Sequence, residues 1–155
     1  NLVYAGSKSL TDVDEETGLT YGKLVLSPTR TYTPVLKQIF EKLKSDIHGA
    51  IHCSGGAQTK VLNFVSDLHV IKDSMFETPR LFRIIQEESG TAWEEMYKVF
   101  NMGHRLEIYL DESKAQAIID IAAEFNIEAK VIGRCEANQG KKLTITTDNG
   151  VFEYN

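Results

Sequence analysis

The sequence predicts an α+β domain, a mixed β-sheet covered by helices with a β-hairpin at its C-terminal end. Three observations carry this. Apolar residues recur at helical spacing in several stretches, as in Val35, Leu36, Ile39, Phe40 and Leu43. Short β-type apolar runs lie between those stretches: Ile47 to Cys53, Leu68 to Ile71 and Leu106 to Leu110. Near the end, Leu143-Thr144-Ile145-Thr146-Thr147 and Val151-Phe152-Glu153-Tyr154 flank Asp148-Asn149-Gly150, a hairpin signal. The strands are not taken to run all parallel.

In chain order, residues 1–21 are rich in Ser, Thr, Asp, Glu and Gly and read as a solvated arm or interdomain segment. The carboxylates Asp12, Asp14, Glu15 and Glu16 lack the spacing and the glycine of a calcium loop. Residues 22–155 are then the domain. Leu24-Val25-Leu26 is expected as a short strand, and Pro28 keeps Ser27 out of helix. Thr33 is expected to cap a helix with Pro34 in its first turn, ending near Ser45-Asp46. After the Ile47–Cys53 strand, a short helix is expected over about Gln58 to Val65. Thr78-Pro79 repeats the cap-plus-proline start, and Gly90 ends that helix.

Thr91-Ala92-Trp93-Glu94 reads as a capping box for a helix whose Trp93, Met96, Tyr97 and Phe100 form a core stripe rather than a ligand box. Asn101-Met102-Gly103 breaks it. In the next strand Leu106, Ile108 and Leu110 alternate with Glu107 and Tyr109, the pattern of a half-buried strand. Asp111 caps a long helix with Ile118, Ile121, Ala122 and Phe125 inward, and Ala129 to Ile132 is expected as a strand.

The 155 residues suffice for one domain with a real core. A net charge of −5 argues against nucleic acid as the partner. No apolar run spans a bilayer and no signal-peptide pattern opens the chain, so no membrane partner is expected. Cys53 and Cys135 make neither a disulfide framework nor a Cys-x-x-Cys knuckle, which fits a reducing cytoplasm. The chain starts at Asn1 without methionine, as a processed chain or a piece of a longer one would. Neither a Rossmann glycine fingerprint nor a Walker A loop is present.

The most suggestive stretch is Ala50-Ile51-His52-Cys53-Ser54-Gly55-Gly56-Ala57-Gln58-Thr59-Lys60, a strand running into a small-residue turn and then a helical pattern. Such a join points backbone N–H groups at an anion. An ordinary turn would have the same glycines. His48 and His52 are four apart, but on a strand that spacing is too long to chelate one ion, and no third ligand is in sight; no metal site is expected. His52 and Cys53 should face opposite sides of the strand, so Cys53 reads as packed core. Arg30 has the fork for a phosphate or carboxylate, or is a surface arginine with an acidic neighbour. Asn101 and Gly103 either cap a helix or bring an amide and bare backbone to a ligand.

Three stretches stand in a known order: Pro28-Thr29-Arg30-Thr31-Tyr32, then Ala50 to Gly56, then Glu95-Met96-Tyr97-Lys98-Val99-Phe100-Asn101-Met102-Gly103. This resembles the C-terminal half of aminoimidazole ribonucleotide synthetase, also called phosphoribosylformylglycinamidine cyclo-ligase (the PurM-like family). Its motifs read Pro-Thr-Arg-Ile-Tyr, Ala-His-x-Thr-Gly-Gly-Gly and Glu-Met-Tyr-x-x-Phe-Asn-x-Gly. The resemblance covers about residues 22–145.

It implies the α+β C-terminal domain of an ATP-dependent ligase that closes the imidazole ring of aminoimidazole ribonucleotide from formylglycinamidine ribonucleotide. ATP and Mg²⁺ would be held mainly by an N-terminal domain that this chain lacks. The partners implied are that domain, the substrate, and a second copy in a cytoplasmic homodimer. His52 and Asn101 would be catalytic; Thr29, Arg30, Ser54, Gly55, Gly56 and Gly103 would bind phosphate or substrate. This chain alone is expected to be inactive.

Two departures fall in that site: Ala57 replaces the family's third glycine, and Arg105 replaces a glycine two residues past Asn-x-Gly. Other readings are a related ATP-using enzyme (selenophosphate synthetase, thiamine-phosphate kinase or hydrogenase-maturation dehydratase) or a non-catalytic anion-binding module.

Overall fold

The computed structural model describes residues 6–28 and 30–155. Its strands form two sheets rather than the single mixed sheet expected. β1 (Ile47–His52) pairs antiparallel with β3 (Leu106–Leu110). The second sheet has the order β4-β2-β5-β6. In it β2 (Leu68–Lys72) runs antiparallel to β4 (Gly133–Ala137) and parallel to β5 (Lys142–Thr147). β5 and β6 (Gly150–Tyr154) are the expected hairpin, closed by the pair Thr147 and Gly150. The α+β class stands, and the sheet carrying β2 is mixed.

Each sheet has its own helical cover. α2 (Thr33–Leu43) and α5 (Ala115–Glu124) pack through Val35, Ile39, Ile121 and Ala122, with Ile47 and Ile108 of the small sheet against them. Across the large sheet, Val70, Leu143 and Ile145 meet Met96 and Tyr97 of α4 (Trp93–Val99) and Val61 of a 3₁₀ segment, Ala57–Asn63. The Tyr154 hydroxyl donates to the Glu94 carbonyl at 2.8 Å, pinning the last strand to α4. α3 (Arg80–Ser89) presents Ile84 to the interior, and Gly90, at φ +65°, ends it as expected.

Several expected boundaries move. Leu24 to Leu26 is no strand: α1 (Tyr21–Val25) occupies it, started by Thr20, whose hydroxyl accepts from Lys23 N. The threonines named as caps do not cap. Tyr32 and Pro79 hold the N-cap positions of α2 and α3 without side-chain bonds. Ala92 holds that of α4, while Thr91 accepts instead from the Ser89 hydroxyl at 2.8 Å. Asp111 caps a 3₁₀ turn, Glu112–Lys114, that leads into α5, and Phe125 ends α5 half out of water rather than facing in.

Residues 129–132 are not a strand, because β4 begins one residue later at Gly133. Gly133 lies so close to β2 that a Cβ there would fall 1.8 Å from the Ile71 carbonyl oxygen, so only glycine lets the strands meet. The arm is more anchored than its composition suggests. Val13 bridges Thr20, and the Asp14 carboxylate is buried against Thr17 and Arg80. Burial would raise the Asp14 pKa, but the bonds from Thr17 and Arg80 hold it below the ordinary range.

Candidate functional site

β1 ends at His52, and the chain reverses at once. Ser54 N donates to the His52 carbonyl and Ala57 N to the Ser54 carbonyl. Gly56 takes φ +83°, which glycine adopts without strain. Lys60 folds back over the join, its ammonium 3.0 Å from the His52 carbonyl oxygen and 2.8 Å from Ser54 Oγ. Positive charge thus stands at the turn itself. Among the described residues neither Gly55 N nor Gly56 N donates to a protein acceptor. The segment that follows is a short 3₁₀ helix rather than an α-helix, because Thr59 N closes back on Gly56 O.

Alternation along β1 sets the side chains as expected. Cys53 is buried and His52 exposed, and the His52 ring has no hydrogen-bond partner among the described residues. Ala57 is buried at φ +42°, a conformation that costs a non-glycine residue about 1–2 kcal/mol. Alanine here thus takes a left-handed conformation at the position where the resembled family has glycine.

The Asn101-Met102-Gly103 loop meets this turn. Gln58, fully buried, donates from Nε2 to the Asn101 carbonyl at 2.5 Å. Asn101 Oδ1 accepts from Gly103 N at 3.2 Å, so the side chain shapes its own loop. Met102 is buried at φ +52°, a second strained non-glycine residue next to a Gln58 contact. Gly103 suits its place on two counts: φ is +126°, which side chains rarely adopt, and a Cβ there would lie 3.0 Å from both Glu77 O and Phe76 Cβ.

Sequence reasoning missed what lies beneath. Glu107, expected to face water, is buried, as is Lys72 of β2. Lys72 Nζ reaches Glu107 Oε1 at 2.5 Å, Gln58 O at 2.9 Å and Gln58 Oε1 at 3.0 Å. Glu107 Oε1 also meets His104 Nε2 at 2.8 Å, and its Oε2 accepts from the Tyr109 hydroxyl at 2.5 Å. Burial alone would raise the Glu107 pKa; the His104 bond and the Lys72 charge bring it down to about 2. Burial, with the Glu107 charge beside it, pushes the Cys53 thiol up to about 12, and the Tyr109 phenol is also pushed well up by burial. The one signal in the sequence was a charge of each sign on or directly after an apolar strand run, Glu107 within Leu106 to Leu110 and Lys72 just past Leu68 to Ile71; such charges are buried only when paired.

Cys53, His104 and Glu107 bring ligand atoms within 4.8 Å of one another. The cluster does not fit Mg²⁺, which wants oxygen ligands in an octahedron. The Lys72 ammonium already pairs with the Glu107 carboxylate, and the Cys53 thiol keeps its proton.

Arg30 and Arg105 both line a cleft of about 1240 Å³, together with Tyr32, His48, Gly49 and Ile108. Neither takes part in an ion pair among the described residues. Thr29, the remaining candidate, lies outside the described residues. The structure thus joins the Ser54-Gly55-Gly56 turn to the Asn101 loop and places Arg30 on the cleft. Among the described residues no hydrogen bond or ion pair joins the His52 side chain to either arginine, although Cys53 N donates to the Arg105 carbonyl beside it.

The fold and this site define a two-sheet α+β domain in which a glycine turn and an Asn-Met-Gly loop are tied together over a buried ion pair. The chain belongs to the AIR synthase related protein, C-terminal domain family, whose model matches residues 5–146. Its relatives include phosphoribosylformylglycinamidine cyclo-ligases of three methanogens. The protein of Methanococcus vannielii is 33% identical over 151 residues, 94% of this chain and 42% of the relative. That of Methanopyrus kandleri is 30% identical over 144 residues, 90% of this chain and 41% of the relative. That of Methanocaldococcus jannaschii is 37% identical over 121 residues, 75% of this chain and 34% of the relative. The chain therefore spans about two fifths of the length of the first of these. No helix among the described residues is long and apolar enough to cross a membrane.

Proposed function

We propose that this chain is the C-terminal part of an ATP-dependent phosphoribosylformylglycinamidine cyclo-ligase, with residues 1–21 as the arm that enters the domain from the other half. The observation that carries the reading is the bond from Gln58 to the Asn101 carbonyl. It brings together two of the three motifs in a chain of this family. In the reaction proposed, the γ-phosphoryl group of ATP passes to the formyl amide oxygen of formylglycinamidine ribonucleotide. The amidine nitrogen then attacks the activated carbon, phosphate leaves with the C–O bond, and loss of a proton gives the imidazole ring.

Such a transfer needs positioning and charge stabilisation more than covalent help. The free Gly55 and Gly56 amides and the Lys60 ammonium supply fixed positive charge for a phosphate or a developing oxyanion. His52, exposed where the strand meets the turn, would orient substrate or move a proton. The Asn101 amide nitrogen makes no bond within the described residues and would donate to substrate. Arg30 and Arg105 would hold anionic groups at the cleft. ATP and its Mg²⁺ would be bound mainly by the N-terminal half, in a cytoplasmic homodimer. The deciding experiment assays the full-length protein with formylglycinamidine ribonucleotide and ATP. Ring closure supports the reading. Turnover of another phosphoryl acceptor, or binding of phosphate without turnover, would replace it.

A further inference from the structure

Two backbone segments of the site hold non-glycine residues at positive φ, Ala57 at +42° and Met102 at +52°, and both are buried. Strained conformations persist only where their surroundings over-determine them. The residue between them in space is Gln58. It follows Ala57 in sequence, and its Nε2 holds the carbonyl of Asn101, which precedes Met102. Its other polar atoms are fixed from below: Oε1 and the main-chain carbonyl both accept from Lys72 Nζ, whose third hydrogen goes to Glu107. Glu107 in turn takes His104, one residue beyond Gly103, on the same oxygen. The chain of bonds runs from the glycine turn through Gln58 to the Asn101 loop. It returns through Lys72, Glu107 and His104 to the end of that same loop.

We infer that Gln58, seated on the Lys72–Glu107 pair, is a positioning residue that couples the Ser54-Gly55-Gly56 turn to the Asn101-Met102-Gly103 loop, so that neither takes its working shape without the other. Gln58 touches no reacting group in this assignment; it acts through the two loops it joins. Its consequence for catalysis rests on the cyclo-ligase reading. Its structural content does not.

The test uses the full-length protein and two variants. Gln58→Glu keeps an oxygen for Lys72 but turns an acceptor toward the Asn101 carbonyl. Gln58→Met removes both side-chain bonds without adding charge. Hydrogen exchange is followed by mass spectrometry over residues 54–60, 100–105 and 142–154. The expected result in both variants is exchange about tenfold faster in the first two segments together, the size a lost buried hydrogen bond gives. The hairpin at 142–154 should stay within about twofold. If the wild-type enzyme closes the ring, kcat should fall on the order of 100-fold with KM for ATP nearly unchanged, since misplacement rather than lost binding is at fault.

Faster exchange in only one loop would overturn the coupling, as would a uniform rise across all three segments. Loss of cooperative unfolding in both variants would make Gln58 a folding residue and overturn it too. Wild-type inactivity toward formylglycinamidine ribonucleotide would sink the cyclo-ligase reading while the exchange result still decides the coupling.

Discussion

Lys72 Nζ lies 2.5 Å from Glu107 Oε1 with both side chains almost entirely out of water, and the two residues come from strands in different sheets. Taking two charges out of water costs several kcal/mol per ion, returned only when every remaining donor and acceptor is satisfied. The pair itself meets that condition: Lys72 has three acceptors, and Glu107 receives Lys72, His104 and Tyr109, while His104 Nδ1 beyond it is buried without a partner among the described residues. Removing one partner leaves the other charge buried and unpaired. Lys72→Met should therefore cost about 3–5 kcal/mol in urea unfolding. Adding Glu107→Leu should cost less than the sum of the two single changes. A cost below about 1 kcal/mol for Lys72→Met would mean that water reaches the site.

The same carboxylate gives the domain an acid limit. The Glu107 pKa drops from 4.5 to about 2 on folding. A group whose folded pKa is depressed contributes stability that is fully present above its unfolded pKa and is lost as pH falls through the folded one. For Glu107 that window runs from about 4.5 down to about 2. The shift is worth about 3 kcal/mol at neutral pH. Unfolding free energy should fall with pH across that window in the wild type. In Glu107→Gln the slope should be shallower by about one proton. Superimposable pH profiles for the two proteins would contradict this assignment.

Much of the fold was legible because it rests on local rules. The stripe through Val35 and Ile39 and the turn at Asp148-Asn149 each need only neighbours in sequence to be read. What failed depends on partners far along the chain. Glu107 alternates with Leu106 and Ile108 in the pattern of a solvent-facing residue. Nothing local reveals that both faces of β3 are covered, one by α2 and α5 and the other by the residues around Lys72. The start of β4 at Gly133 is likewise set by its approach to Ile71, not by the apolar run before it. The site divided the same way. The glycine turn and the Asn-Met-Gly loop were visible as motifs, but their joining through Gln58 was not, since a glutamine after a glycine turn reads as surface.

The two cysteines should differ in access rather than in kind, since burial raises the pKa of both thiols. Cys53 is buried, with its thiol pushed up to about 12 by burial and the nearby Glu107 charge, whereas Cys135 is exposed on β4. A thiol-specific reagent at pH 8 should modify one cysteine in the folded protein and two after unfolding. Because the folded pKa of Cys53 is raised from 9.0, its contribution to stability is complete below pH 9 and fades as pH rises toward 12. Modification of Cys53 in the native state, located by peptide mapping, would contradict its placement. A large loss of full-length activity in Cys53→Ala with the fold intact would give the thiol a role in chemistry that its burial denies it.

His52 separates a catalytic from a structural role with little ambiguity, because its ring is exposed and makes no hydrogen bond among the described residues. His52→Ala should leave stability within about 0.5 kcal/mol, as surface changes do. A group acting in proton transfer would lower kcat by about 10²–10⁴-fold with a smaller change in KM. Stability and kcat both near wild type would remove His52 from the mechanism. A rise in KM alone would assign it to substrate binding.

Gly55 is the cleaner probe of the turn, and Gly56 the poorer one. Gly56 sits at φ +83°, so any side chain there strains the backbone whatever the space around it. A loss of activity in Gly56→Val would mix that strain with a blocked site. At Gly55 an added Cβ meets nothing within 4 Å, and the backbone is not in the left-handed region. A valine at 55 enters open space on the turn that also carries the unpaired Gly55 and Gly56 amides and the Lys60 ammonium. If an anion seats there, the side chain excludes it while the fold remains. Gly55→Val in the full-length protein should leave the thermal midpoint within about 2–4 °C and abolish ring closure. Gly55→Ala should fall between it and wild type. Sulfate or phosphate titrated into wild type should shift the Gly55 and Gly56 amide resonances, and in Gly55→Val should leave the amide resonances of the substituted residue and of Gly56 unmoved. Full activity in Gly55→Val would show that nothing approaches the turn from that side, and the glycines would then serve only to reverse the chain.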